Sequence, residues 1–378
     1  MFVTLRKEDI VDGLLQATAI TPSRTGAAYL RTVWLQAEEG KLTVSATDSS
    51  LEFCGTYPAE VQRAGTLGAQ GKFLADLVRK LPPGPLTIKS SPEEMVLHVT
   101  QGPRSYKLAV SDPAWFQPMR PFPQGQAAQM EGRQLRLILD RVLFCVADDE
   151  SLGSMTCLKM TPSEDIVEFC GLDGLKLALH REVNTDLAHA LGRDALLPKK
   201  YAQDLRKWIP DAPLEIARQD DRLFVRTLGG SETMSLPLRD LAFFDYQKLL
   251  RSMESRYVGQ ITVGREELAD ALDRIAIFTT ESQYVAQFAV QGTDLILSTP
   301  TQETGTGEEA LPCHAEGQIT PFCLAARSVL DVTSRFDAPQ LTIHFADSRS
   351  LVRITTNDDA NYSVSMMPVA MEEESYYE

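Results

Sequence analysis

The sequence contains no apolar run near the roughly 20 residues that a bilayer-spanning helix requires, so no membrane segment is expected. Arg6, Lys7, Glu8, Asp9 and Asp12 occupy the stretch where a secretion signal would need an apolar core, and a cytoplasmic protein is therefore expected. Cys54, Cys145, Cys157, Cys170, Cys313 and Cys323 never form a C-x-x-C pair. Most of them sit within apolar runs, where a reduced thiol behaves as a small hydrophobe, which argues against a disulfide framework or a zinc site. The histidines (His98, His180, His189, His314, His344) are dispersed, with no H-x-x-x-H spacing, so neither metal nor cofactor is expected. Basic residues are scarce at one end only. The net charge of −15 divides into +1 over residues 1–126, −3 over 127–256 and −13 over 257–378. Such asymmetry either solubilises the chain or steers its acidic end toward a less acidic end of another copy.

Catalytic motifs are also missing. Residues 65–72 (GTLGAQGK) superficially suggest a phosphate-binding loop, but Thr66 stands where that loop needs glycine, and Phe73 replaces the hydroxyl residue that would hold magnesium. No G-x-S-x-G elbow occurs, and Glu93-Glu94 falls in an expected turn, where carboxylates are usually solvated. An enzyme is not expected; ATP turnover by the isolated protein would indicate one.

What the chain does contain is a domain-sized repeat. Residues 72–82 (KFLADLVRKLP) match 200–210 (KYAQDLRKWIP) at an offset of 128. The same offset carries Leu86-Thr87-Ile88 onto Leu214-Glu215-Ile216, and Asp112, Ala114 and Phe116 onto Asp240, Ala242 and Phe244. A third copy follows at about 127, with Asp204 mapping to Asp331, Ile209 to Phe336 and 214–216 to 341–343. Each copy opens on a helical stripe: Ile10, Leu14 and Leu15; Leu135, Leu139, Val142, Leu143 and Val146; Leu268, Leu272 and Ile275. Strands are expected at 42–46, 86–89, 95–99, 106–110, 166–170, 223–226, 233–236 and 295–298. The order helix, strands, helix, strands predicts an α+β fold of three tandem copies, each with two helices on one face of an antiparallel sheet. The copies are expected at 1–126, 127–256 and 257–378, joined near 124–130 and 252–260.

Opposite the apolar stripes the helices carry cations: Arg6, Lys7, Lys72, Arg79 and Lys80; Arg133, Arg136, Arg141, Lys199, Lys200, Arg206 and Lys207; Arg265, Arg274, Arg327 and Arg335. A solvated face accounts for any single helix. Recurrence in every copy points to phosphate attraction without base reading, which suits sliding along duplex DNA. A scaffold that never touches DNA is the competing reading, consistent with the acidity and the methionine-rich end. Retention on circular DNA that is lost on cutting would separate the two.

Residues 35–48 (LQAEEGKLTVSATD), 172–178 (LDGLKLA), 328–332 (SVLDV) and Met367-Pro368, in this order and spacing, resemble the bacterial DNA polymerase III beta subunit, or sliding clamp, family over essentially the whole chain. The resemblance implies a non-catalytic, head-to-tail homodimer that closes a six-domain ring around double-stranded DNA. Its pore would be lined by Arg24, Lys72, Arg79, Lys80, Arg133, Arg136, Lys199, Lys200 and Arg206. The dimer junction would place Lys72, Arg104, Tyr106, Lys107 and Leu108 of one chain against Ile277, Phe278, Glu303, Glu308 and Glu309 of the other. A cleft of Met155, Leu172, Gly174, Leu175, Lys176, Leu177, Phe244, Leu249, Arg349, Met366, Met367, Pro368 and Val369 would take short peptides of the polymerase catalytic subunit, the clamp loader and other replication and repair proteins. Methionine suits such a cleft because it is flexible and polarizable. Three features depart from the family pattern. Leu172 to Leu177 replaces the usual Thr-Asp-Gly-His-Arg-Leu, Asp148-Asp149-Glu150 lies beside the cleft, and the chain ends in an acidic tail, Glu372 to Glu378, expected to remain solvated.

Overall fold

Apolar residues at helical spacing become the buried stripes of the principal helices. In a computed structural model, which describes residues 1–22, 28–91, 95–279, 285–299 and 305–370, the helices are α1 (Lys7–Ile20), α2 (Gly71–Lys80), α3 (Gly132–Val142), α4 (Thr185–Leu191), α5 (Lys199–Trp208), α6 (Tyr246–Glu254), α7 (Arg265–Ala276) and α8 (Ala326–Thr333). On α1 the buried set is Ile10, Gly13, Leu14, Ala17 and Ile20; on α7 it is Leu268, Ala271, Leu272 and Ile275. The repeat is visible directly, since α5 starts 128 residues after α2, and strand Pro213–Gln219 starts 128 after Pro85–Ser91.

Helix α3 ends at Val142, four residues short of the expected stripe. Its Arg141 carbonyl accepts from the Tyr362 hydroxyl at 2.9 Å, and a 3₁₀ turn, Leu143–Cys145, follows. A tertiary acceptor bond satisfies a terminal carbonyl that another helical turn would otherwise have used. Helices α4 and α6 fell outside the expected pattern. Both start on side-chain caps, where Asn184 accepts from Leu187 N–H and Asp245 from Lys248 N–H.

Contacts divide the chain into one unit of residues 1–136 and 184–240 and another of residues 137–183 and 241–378. This line runs through the second sequence copy because its strands pair with both neighbours. In the first unit, Glu232–Pro237 pairs antiparallel with Glu52–Pro58, so a strand of copy two extends the sheet of copy one. Helix α1 packs on α2 and on strands Lys41–Thr47 and Glu52–Pro58, burying Leu42, Val44 and Phe53 beneath it. The Tyr57 side chain crosses Gly13 and Gly55, where a Cβ on Gly13 would lie 1.7 Å from the phenol oxygen. Having crossed, Tyr57 donates to Glu232 at 2.7 Å, and the Trp208 indole donates to the other carboxylate oxygen at 2.8 Å.

In the second unit, Lys176–Val183 of copy two pairs antiparallel with Tyr362–Met366 of copy three. Helix α7 packs on α8 and on the strands around it, over a core that includes the stacked rings of Phe288 and Phe322, 5.3 Å apart. Expectation and structure part at Arg141. Instead of lying on an open cationic face it is 7% exposed, bonds Asp359 at 2.7 Å and covers the Tyr362 ring at 4.8 Å. Position 141 lies near the end of α3, where the helix meets copy three, and there the long side chain is enclosed by residues remote in sequence.

Candidate functional site

The expected cleft residues that come together do so at one end of the second unit's sheet. Strand Ile166–Leu172 turns at Asp173 to Leu175 into Lys176–Val183. The turn depends on Gly174, at φ +92°, and on the Asp173 carboxylate, which accepts from Leu175 N–H at 2.9 Å and Lys176 N–H at 2.7 Å. Leu172 and Leu177 leave this turn buried against Cys170, Leu179, Tyr246 and Leu250, with Met155 and Phe243 at the margin. Helix α6 is therefore a wall that the sequence reading missed. Its signal was present: Asp245 as cap, then Tyr246, Leu250 and Met253 at i, i+4 and i+7.

The expected cleft residues separate into floor and rim. Leu172, Leu177 and Met366 are buried, whereas Leu175 is 68% exposed, Phe244 44% and Met367 39%. Met155, Leu249, Pro368 and Val369 are half-buried, and Arg349 is exposed. Met367 N–H donates to the Leu175 carbonyl at 2.8 Å, and Val369 N–H to the Cys323 carbonyl at 2.9 Å, so backbone bonds fix the chain beyond the last strand. Burial by itself would push the Glu168 carboxyl up. Hydrogen bonds from Gln247, Arg181 and Tyr246 outweigh that and hold it below the usual range, anchoring α6 on the sheet. An exposed apolar rim over an anchored apolar floor is suited to docking side chains of a short peptide.

The expected DNA contacts that the structure describes all lie in the first unit. Lys72, Arg79 and Lys80 are exposed on α2, with Arg79 paired to Asp76 at 2.9 Å. Lys72 and Arg79, seven residues apart, share a face turned away from buried Leu74 and Val78. Arg133 is exposed on α3. Arg136 is half-buried, bound to the Ile209 carbonyl and to Asp211 at 2.7 Å, so it braces the helix and is partly neutralised. On α5, Lys199 is half-buried and Arg206 exposed, while Lys200 bonds Asp48 at 2.6 Å, which raises its pKa against the opposing effect of burial. Arg265 and Arg274 are likewise engaged, the first with the Ala338 carbonyl and Glu266, the second with both oxygens of Glu309. Arg24, Glu303 and the tail beyond Ala370 lie outside the described residues.

At the expected junction, strand Arg104–Ser111 pairs with Val96–Gln101 from Arg104 to Ala109. On its other side it meets only Gly68 and Ala69, through Ser111 and Val110, leaving an open edge at Arg104, Tyr106, Lys107 and Leu108 among the described residues. Strand Glu308–Gly317 also changes partner along its length: its first half pairs with Asp294–Ser298 and its second with Gly259–Gly264. Ile277 is 75% exposed and Phe278 36% at the end of α7, Glu308 is exposed, and Glu309 is held below the usual carboxylate range by Arg274.

Residues 1–117 match the family described as DNA polymerase III beta subunit, N-terminal domain, and residues 256–370 match DNA polymerase III beta subunit, C-terminal domain. The chain belongs to the DNA polymerase III beta subunit family. The beta sliding clamp of Caulobacter vibrioides is 22% identical over 374 residues, covering 98% of this chain and all of the relative. That of Synechococcus elongatus is 24% identical over 379 residues, with the same coverage. The crystal structure of the Bacillus subtilis DNA polymerase sliding clamp matches with a TM-score of 0.90 at 18% identity, over 98% of this chain and 100% of that one. At that identity the structural match supports the fold, which is α+β as the repeat predicts and of the clamp type as the resemblance implies. No helix among the described residues is long and apolar enough to cross a membrane.

Proposed function

We propose that this chain is a non-catalytic processivity factor of a bacterial replicative DNA polymerase. Two copies would close head to tail into a ring around duplex DNA, each contributing three domains at about 1–126, 127–256 and 257–378. The observation that carries this reading is the family match at both ends of the chain, joined to relatives named beta sliding clamp that align over 98% of its length. The exposed cations on α2, α3 and α5 support it. They would attract phosphates without reading bases, and enclosure would supply the retention that such weak contacts cannot. The cleft below α6 would hold peptides of the polymerase, of the clamp loader and of other replication proteins.

Enclosure gives a sharp test. Protein placed on nicked circular duplex by a clamp loader is expected to stay bound at salt that strips an electrostatic ligand, and to be lost when the circle is cut. Equal retention on circular and linear DNA would exclude a closed ring. The junction is tested separately. Reversing Arg104 and Lys107 to Glu sets like charge against the acidic third copy, and at least a tenfold weaker dimer is expected by sedimentation at low concentration. An unchanged dimer would place the junction elsewhere.

A further inference from the structure

The partner cleft has a charge polarity set by strand order. Register places Met155, Leu175, Met367 and Leu351 just beyond one end of the sheet. Leu172 is opposite Leu177, Lys176 opposite Met366, and Met366 opposite Val352, while Lys159 opposite Cys170 brings the start of strand Cys157–Ser163 level with Leu172. Neighbours in that sheet run from Cys157–Ser163 through Ile166–Leu172, Lys176–Val183 and Tyr362–Met366 to Val352–Thr355. Four strand spacings of about 4.8 Å separate the first from the last, roughly 19 Å, a distance spanned by about six residues of extended peptide.

The two flanks of this row carry opposite charge. Before Cys157 lies the turn Glu150–Thr156, preceded by Asp149, and both Asp149 and Glu150 are exposed without a cationic partner among the described residues. Before Val352 lies Arg349, exposed, whose guanidinium likewise has no ion-pair partner among the described residues. The carboxylate nearest to it in sequence, Asp347, is already taken by Arg256 at 3.1 Å and by the Ser350 hydroxyl at 2.6 Å. In the middle, Lys176 and Asp173 offset each other at 3.7 Å beside the exposed apolar Leu175 and Met367.

We infer that the cleft selects an extended peptide with an apolar centre, a basic residue at the end lying over Asp149 and Glu150, and an acidic residue at the end lying over Arg349. The inference rests on the reading of this region as the partner cleft, and it assigns that partner its charge pattern. Exposed pairs change affinity only a few-fold each, so this polarity chooses between peptides of similar apolar content and adds little to overall affinity.

The test uses two fluorescent eight-residue peptides with one shared Leu- and Phe-containing centre. One carries Lys before the centre and Glu after it, and the other carries the reverse. Whichever direction the backbone takes, one of the two matches, and the full-length protein is expected to prefer it about fivefold at low salt. Arg349→Glu, an exposed change, is expected to abolish or invert the preference, and Leu175→Asp to weaken both peptides together. Equal binding of the two, or a preference unmoved by Arg349→Glu, overturns the polarity while leaving the cleft intact. Binding of neither peptide, or binding insensitive to Leu175→Asp, overturns the cleft reading and the polarity with it. A preference that emerges only when the chain is ended at Ala370 would make its own acidic end the occupant and overturn an external partner.

Discussion

Replacing Arg141 by Met is expected to lower the stability of the second unit by about 3 kcal/mol, because it removes one half of an enclosed ion pair. Asp359 would lose its 2.7 Å partner, and the Tyr362 ring would lose the guanidinium 4.8 Å above it. The Asp359 side chain is 28% exposed, so water recovers part of its solvation and keeps the cost toward the low end for a broken buried pair. The decisive comparison is the double variant Arg141→Met, Asp359→Asn. With no carboxylate left stranded, most of the loss is expected to return, and denaturant midpoints of the four proteins give the coupling directly. If both single variants are near neutral, Arg141 is an ordinary surface cation after all. With Arg141 enclosed as observed, any fall in DNA retention for Arg141→Met is expected to track lost folding, since this side chain is 7% exposed.

The second large effect is expected at Glu232, where two donors from different parts of the first unit converge on one carboxylate. Tyr57 reaches it from the strand that pairs with it, and Trp208 from the end of α5. Glu232→Gln keeps the shape but offers only one acceptor, so either the phenol or the indole must face an amide N–H. A loss of about 2 kcal/mol is expected, the usual range for bonds to a charged group. Tyr57→Phe added to Glu232→Gln should cost less than Tyr57→Phe alone, because the shared acceptor is already compromised. Additive costs would mean that the two bonds act independently. Tyr57 cannot relieve the conflict by ionising, since its burial, the main cause of a pKa well above the usual phenol value, remains in that variant.

Much of the fold was legible because it is repetitive. A constant offset of 128 placed α2 against α5 and strand 85–91 against 213–219, and the stripes of α3 and α7 followed from i, i+4 and i+7 spacing, that of α1 from Ile10 and Leu14 at i and i+4. Helix α6 was harder to see, for its nine residues fall in a stretch expected to lead into a linker. The proposed cleft was legible only as a set of types carried over by resemblance. Nothing in the spacing of Leu172, Leu175 and Leu177 says which two turn inward. Register decides that, by pairing Leu172 with Leu177 and leaving Leu175 on the turn.

Basic helix faces show the same division between sequence and structure. Sequence determined that Lys72, Arg79, Lys80, Arg133 and Arg206 lie off the apolar stripes, because a 3.6-residue period assigns each position a side of its helix. By itself it also determined the threefold repeat, the α+β class and the concentration of acid in the last third. Only the tertiary structure decided which cations are available. Arg141 and Arg136 are both expected among the solvent-facing cations of α3, yet one is enclosed with Asp359 and the other is tied to Ile209 and Asp211. Periodicity reports direction around one helix axis, whereas enclosure and ion pairing depend on groups remote in sequence, as Asp359 is from Arg141 by 218 residues.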